Sequence, residues 1–124
     1  MPIFSFDFVE GNITKILTLA NGATGPELGI RVNDINIHKV SPINLSSGIA
    51  TFKMTGVDAG SIFINNIAAK IKDGKGGIVE YQWKSGDTDT DGTFLGQFRI
   101  TVADKIYLVP DNTKHILKIV VGNG

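Results

Sequence analysis

The chain has no cysteine among its 124 residues, and this absence excludes several kinds of chemistry. Disulfide bonds, thiolate zinc sites, iron–sulfur clusters and cysteine nucleophiles all require the thiol. Histidine is scarce as well, with His38 and His115 as its two copies. No spacing joins either histidine to a serine and an aspartate in the manner of a catalytic triad. We interpret both as ordinary surface residues and predict that the protein is not an enzyme.

The chain also lacks an excess of charge of either sign. Lysine and arginine number 12, aspartate and glutamate number 12, and the formal net charge is zero. Proteins that bind nucleic acid through bulk electrostatics are usually basic, so we expect no nucleic-acid partner. Charged residues make up only 19% of the sequence, below the usual quarter. Such a low content suggests that a partner covers part of the surface.

Long apolar runs and a basic N-terminal segment are missing too. No run approaches the roughly 18 residues that a membrane-spanning helix needs. The first eleven residues contain Asp7 and Glu10 but no basic residue, unlike a signal peptide. We therefore expect no membrane partner. Because 42% of the residues are hydrophobic, a core can form, and the length fits one domain, predicted over residues 1–124.

Two-residue alternation of apolar and polar side chains recurs along the chain, which is typical of half-buried strands. We predict about eight or nine short strands, because glycine, asparagine, aspartate and proline interrupt the pattern at short intervals. The candidates are Phe4–Phe8, Ile13–Leu19, Gly29–Val40, Ala50–Met54, Ile62–Ile71, Val79–Trp83, Phe94–Val102, Ile106–Val109 and Leu117–Val121. No segment holds a helical period for about ten residues. The predicted fold is all-β, an immunoglobulin-like antiparallel β-sandwich, with a jelly roll as the alternative.

Two details of the alternation give local predictions. The phase slips at Asn65-Asn66, which predicts a β-bulge. The apolar phase of the two strands on either side of residues 84–93 predicts one shared core. Its expected members are Val79, Tyr81, Trp83, Phe94, Phe98 and Ile100.

The segment Asp87-Thr88-Asp89-Thr90-Asp91-Gly92 matches the opening of a calcium-binding loop. The twelfth position of such a loop is a bidentate glutamate, but here it is Phe98, and a strand follows where a helix is expected. We interpret the segment as a structural, metal-free turn whose carboxylates accept hydrogen bonds from nearby amides. Asp87, Asp89 and Asp91 are the calcium ligands of the alternative reading. No cofactor is expected.

The segment Gly77–Trp83, followed by Gly86–Phe94, resembles a stretch found in many tailed-bacteriophage structural proteins. Those proteins have a strand ending in Tyr-x-Trp, an Asp-Thr-Asp-x-x-Gly-Thr-aromatic turn and an alternating strand that leads into Ala-Asp-Gly. In this chain Lys105 follows Ala-Asp in place of the glycine. The family is typified by the N-terminal domain of phage baseplate upper proteins. The resemblance covers about Ile49–Val121 well and Gly11–Gly22 loosely, whereas residues 23–47 match nothing in it.

This resemblance implies a non-enzymatic structural component of a tailed-phage virion, either a tail or baseplate adaptor or a head decoration protein. Such a protein would pack against other virion proteins, form a homo-oligomer within the particle and assemble in the cytoplasm of the host bacterium. A function from another class is a carbohydrate-binding β-sandwich module that depends on calcium through the Asp-rich turn.

The N-terminal segment carries Phe4, Phe6 and Phe8 on one face of a strand, ahead of the region of close resemblance. Buried together, three such rings would cover several hundred Å², at about 150–250 Å² each. An exposed apolar patch of that size marks an interface. Met1–Glu10 is therefore either an arm or edge strand that docks on a neighbouring subunit, or the first strand of the domain's own sandwich.

Overall fold

The computed structural model describes residues 3–7, 13–35, 40–42, 44–57, 62–110 and 115–122. Ten strands lie in these ranges, and the described chain has no helix that could cross a membrane. The strands are β1 (Ile3–Asp7), β2 (Ile13–Leu19), β3 (Leu28–Ile35), β4 (Val40–Pro42), β5 (Ile49–Gly56), β6 (Ile62–Asp73), β7 (Ile78–Tyr81), β8 (Gly92–Val102), β9 (Lys105–Val109) and β10 (His115–Val121). The all-β class predicted from the alternation is confirmed.

The strands form one curled, mixed sheet. Its order is β1-β3-β7-β6-β5-β8-β10-β2, with β4 paired to β3 and β9 paired to β8. Strand β1 runs parallel to β3 and β2 runs parallel to β10, while the other described pairings are antiparallel. The expectation of a wholly antiparallel arrangement is therefore wrong. Alternation indicates which face of a strand is buried but carries no information on direction. The immunoglobulin-like sandwich and the jelly roll are finer assignments that stay predictions.

The sheet curls at strand β6, so that its two halves face each other. Up to Ala69 it pairs with β5, and from Lys70 onward it pairs with β7. In a flat sheet β5 and β7 would lie about 10 Å apart, because neighbouring strands are about 4.8 Å apart. However, Phe52 of β5 stacks on Tyr81 of β7 with 4.6 Å between the ring centroids. The curl is therefore strong enough for the two halves of the sheet to share one core.

The predicted bulge lies in β6 and is confirmed. Two residues of β6, Asn65 and Asn66, oppose the single Lys53 of β5. Asn66 has a φ of 53°, a left-handed conformation that asparagine adopts more readily than most residues. A second shift in register occurs at Phe63. These irregularities twist the strand where it leaves one half of the sheet for the other.

The shared core contains all of the side chains predicted for it. None of Val79, Tyr81, Trp83, Phe94, Phe98 and Ile100 is more than 3% exposed, and all belong to one cluster. The core prediction is therefore confirmed.

The segment that matched nothing in the sequence, residues 23–47, contributes to this core as well. Leu28, Ile30 and Val32 of β3 and Leu45 in the following loop are fully buried. The segment is thus part of the hydrophobic centre of the domain.

Candidate interaction surfaces

The Asp-rich turn between β7 and β8 is attached to the core through a buried tyrosine. The hydroxyl of Tyr81 donates a hydrogen bond to Oδ2 of Asp87 at 2.7 Å, and the backbone N–H of Lys84 donates to the same oxygen at 2.8 Å. Burial raises the pKa of Tyr81, and the Asp87 carboxylate raises it further, so the phenol stays protonated and keeps donating. Asp87 therefore links the turn to the aromatic core.

The same turn is also tied to the loop between β2 and β3. The side-chain amide of Asn21 donates to Oδ1 of Asp91 at 2.7 Å and to the carbonyl of Asp89 at 3.0 Å. The hydroxyl of Thr88, a residue only 1% exposed, donates to the carbonyl of Ala23 at 2.7 Å. The loop from β2 to β3 and the turn from β7 to β8 each run between the two halves of the sheet, so these bonds join two neighbouring crossings.

The three aspartates of the calcium alternative do not form a ligand set. Within the described residues there is no group of three histidine, cysteine, aspartate or glutamate side chains that could hold a metal ion. The carboxylate of Asp87 faces Tyr81, and that of Asp91 faces Asn21. A calcium loop needs several oxygens directed at one point, and these two carboxylates are engaged by protein donors instead. The metal-free turn itself stays a prediction.

Residues suited to catalysis or sugar stacking do not gather at any described site. His38 lies outside the described residues, and His115 is the first residue of β10. Tyr81 and Trp83 are 1% and 2% exposed. Neither ring therefore has a free face on which a sugar could stack.

The backbone of the N-terminal strand pairs with a strand of this chain's own sheet. Strand β1, which contains Phe4 and Phe6, pairs with β3 along its whole length. It stands at one end of the strand order, so it is an edge strand. Phe8 lies outside the described residues. Docking of these phenylalanines on a neighbouring subunit stays a prediction.

Large apolar side chains are exposed mainly on β2, β5, β6 and β9. They are Ile16, Ile49, Val57, Ile62, Phe63, Ile67, Ile106 and Leu108. Sequence reasoning did not single them out as surface residues, because it assigned apolar side chains to the core. A signal is present in β9, where four consecutive apolar residues follow Lys105. A strand that is apolar on both faces must expose one of them unless another layer covers it.

No family model matches the sequence, and no curated protein matches it either. Among solved structures, the fold is that of a phage protein domain. The chain is similar to the "N-terminal domain of phage TP901-1 ORF48", with a TM-score of 0.59 and 12% sequence identity. The likeness covers 97% of this chain and 96% of that one. At this identity the comparison establishes the fold. The resemblance to a phage structural domain, first indicated by the Tyr-x-Trp strand and the Asp-rich turn, is confirmed at that level.

Proposed function

We propose that the protein is a non-enzymatic structural component of a tailed-phage virion that acts at the tail or baseplate. The observation that carries this proposal is the likeness, over nearly the whole of both chains, to the N-terminal domain of a phage protein, TP901-1 ORF48. A shared fold does not by itself specify a function. Here, however, the local motif of residues 77–94 and the fold of the whole chain indicate the same class of protein independently.

The chemistry of the described residues supports a packing role. The polar side chains of the Asp-rich turn form hydrogen bonds with Tyr81 of the core and with the neighbouring loop, so they stabilise a fixed corner of the fold. Tyr81 and Trp83, two rings on which a sugar could otherwise stack, are buried. In contrast, large apolar side chains are exposed, which suits contacts between subunits.

Three finer points belong to the same proposal. The protein is a tail or baseplate adaptor rather than a head decoration protein, in line with the resemblance of residues 77–94 to the baseplate upper protein family. The two halves of the curled sheet act together as an immunoglobulin-like sandwich, because their side chains share one core. The protein forms a homo-oligomer within the particle, and the N-terminal segment that carries Phe4, Phe6 and Phe8 docks on a neighbouring subunit.

Purified particles from a strain that carries the native genome test this proposal. We expect mass spectrometry to find the protein in every particle preparation, and labelled antibodies to bind the tail end in electron micrographs. Deletion of its gene should yield particles with an incomplete tail or baseplate. Absence of the protein from purified particles, or labelling of the head alone, would contradict the proposal. Glycan binding that a calcium chelator abolishes would favour the carbohydrate-binding alternative.

A variant that lacks Pro2–Glu10 tests the role of the N-terminal strand. If the truncated protein unfolds at the same denaturant concentration but no longer enters particles, the strand is an interface. If the truncated protein fails to fold, β1 is required by this chain's own sheet, and the interface reading of the phenylalanines is wrong.

A further inference from the structure

One face of the sheet can be reconstructed from the strand register. Residues that pair directly across two strands lie on the same face. Thr55 of β5 pairs with Leu95 of β8, Leu95 pairs with Lys118 of β10, and Lys118 pairs with Ile16 of β2. These residues alternate with the buried side chains of the same strands, so the row points away from the core. We call the surface to which it belongs the outer face.

Three more rows of the outer face follow along β8. They are Lys53–Gln97, then Thr51–Arg99–Leu108, then Ile49–Thr101–Ile106. With about 7 Å between rows and about 4.8 Å between strands, the four rows cover roughly 20 Å by 20 Å. Four of its five apolar members are well exposed: Ile49 is 71%, Ile16 57%, Ile106 54% and Leu108 49% exposed. The fifth, Leu95, is half-buried. The outer face is therefore about as large as the patches that mark binding sites on monomers.

The charge on the outer face is of one sign. Lys53, Arg99 and Lys118 are its charged residues, and none of β2, β5, β8, β9 and β10 contains an aspartate or glutamate. The whole chain has 12 basic and 12 acidic residues, so the absence of carboxylates from these five strands is a local feature of this part of the sheet. In the described part of the chain the one ion pair joins Lys72 to Glu80, in the other half of the sheet.

We propose that the outer face is a docking surface for a different protein that supplies aspartate or glutamate carboxylates beside apolar side chains. The carboxylates would pair with Lys53, Arg99 and Lys118, and the apolar groups would cover Ile49 and Ile106. Complementary charge of this kind selects a partner and speeds its encounter. The inference rests on the proposed function, since it takes this partner to be another virion protein.

Two other occupants fit the outer face less well. A second copy that presented the same face would bring like charges together, which opposes association. A nucleic acid would need more cations than three, and a single strand would need aromatic side chains for stacking. The rows of the outer face contain no aromatic residue and more apolar and threonine side chains than charges. A protein partner is therefore favoured.

Site-specific photo-crosslinking tests the inference in cells that produce the protein from its native genome. A photoreactive phenylalanine replaces Thr51, between the cations, and the control variant carries it at Lys75, in the turn between β6 and β7. We expect the Thr51 variant to link to one different protein, through a segment that contains aspartate or glutamate, and the Lys75 variant not to link to it. Links to a second copy, to nucleic acid or to a segment without carboxylates would overturn the inference, as would no link at Thr51.

Charge reversal gives a second, independent readout. The double variant Lys53→Glu/Arg99→Glu is compared with Lys75→Glu/Lys84→Glu, which makes the same change of charge away from the outer face. With denaturant midpoints unchanged, we expect the first to enter particles at least about tenfold less than the wild type, and the control to enter normally. Equal incorporation of both would refute the docking surface. Absence of the wild type from particles would refute the proposed function, and the crosslinking in cells would still test the outer face.

Discussion

Replacing Trp83 with alanine should remove a large part of the stability of this domain. The side chain is 2% exposed and packs edge-on against Tyr81 and Phe52, with ring centroids 5.3 Å and 5.7 Å away. Its Nε1–H donates a hydrogen bond to the carbonyl of Pro26 at 3.1 Å. Truncating a buried tryptophan costs about 3–5 kcal/mol in lost burial and cavity formation. Because domains of this size have total stabilities of about 5–15 kcal/mol, the variant should be only marginally folded.

Urea unfolding followed by far-UV circular dichroism measures this loss, since the variant lacks the single tryptophan that fluorescence would need. Trp83→Phe is the matched comparison. It keeps a ring in the core but loses the hydrogen bond to Pro26, so we expect a loss of about 1–3 kcal/mol. The slope of the free energy of unfolding against urea concentration should be the same for the wild type and both variants if all three unfold in two-state transitions. A loss well under about 1 kcal/mol for Trp83→Ala, the scale of a surface substitution, would refute the placement of Trp83 in the core.

Four further outcomes are expected. Tyr81→Phe should lower the free energy of unfolding by about 1–2 kcal/mol, and a double-mutant cycle with Asp87→Ala should give a coupling of similar size. Burial raises the pKa of Tyr81 above its value near 10 in the unfolded chain. The contribution of the protonated phenol to the free energy of unfolding is therefore fully present below pH 10 and is lost as the pH rises through the folded-state pKa. Above pH 10, the free energy of unfolding should fall more steeply with pH for the wild type than for Tyr81→Phe. Ala103→Gly should stabilise the protein by about 0.5–1 kcal/mol in urea unfolding, since Ala103 has a φ of 53° and glycine relieves that strain at some entropic cost. Added calcium should leave the melting temperature unchanged. A calcium-dependent rise in melting temperature that the Asp89→Ala variant lacks would contradict the prediction that the turn is metal-free.

The alternation of side chains predicted the strands well where one face is polar. The predicted limits of β2, Ile13–Leu19, match the structure, and the slip at Asn65-Asn66 marks a real bulge. The alternation was less informative at Asn33-Asp34, where β3 continues to Ile35 although the apolar phase is lost. Backbone hydrogen bonds with neighbouring strands hold such a segment in the sheet, and side-chain periodicity does not report them.

The candidate surfaces were harder to predict than the core. The Asp-rich turn could be predicted as structural because its residue types favour local hydrogen bonds. Its long-range bonds to Asn21 and Ala23 could not, since they depend on how β2 and β7 are brought together. The exposure of Ile106 and Leu108 depends in the same way on β9 having one apolar face toward the core and the other toward solvent. Composition and spacing do not distinguish those two faces.

The charge of the chain illustrates the same limit most clearly. A net charge of zero argues against a partner that is held by bulk electrostatics, and for the chain as a whole that reasoning stands. Folding, however, places Lys53, Arg99 and Lys118 on one part of the sheet, where strands β2, β5, β8, β9 and β10 contain no carboxylate. Several aspartates lie instead in turns, where short side chains satisfy backbone and side-chain donors. A neutral protein can thus present a cationic, apolar surface, because the charge of one face depends on where the fold places each charged residue and not on their sum.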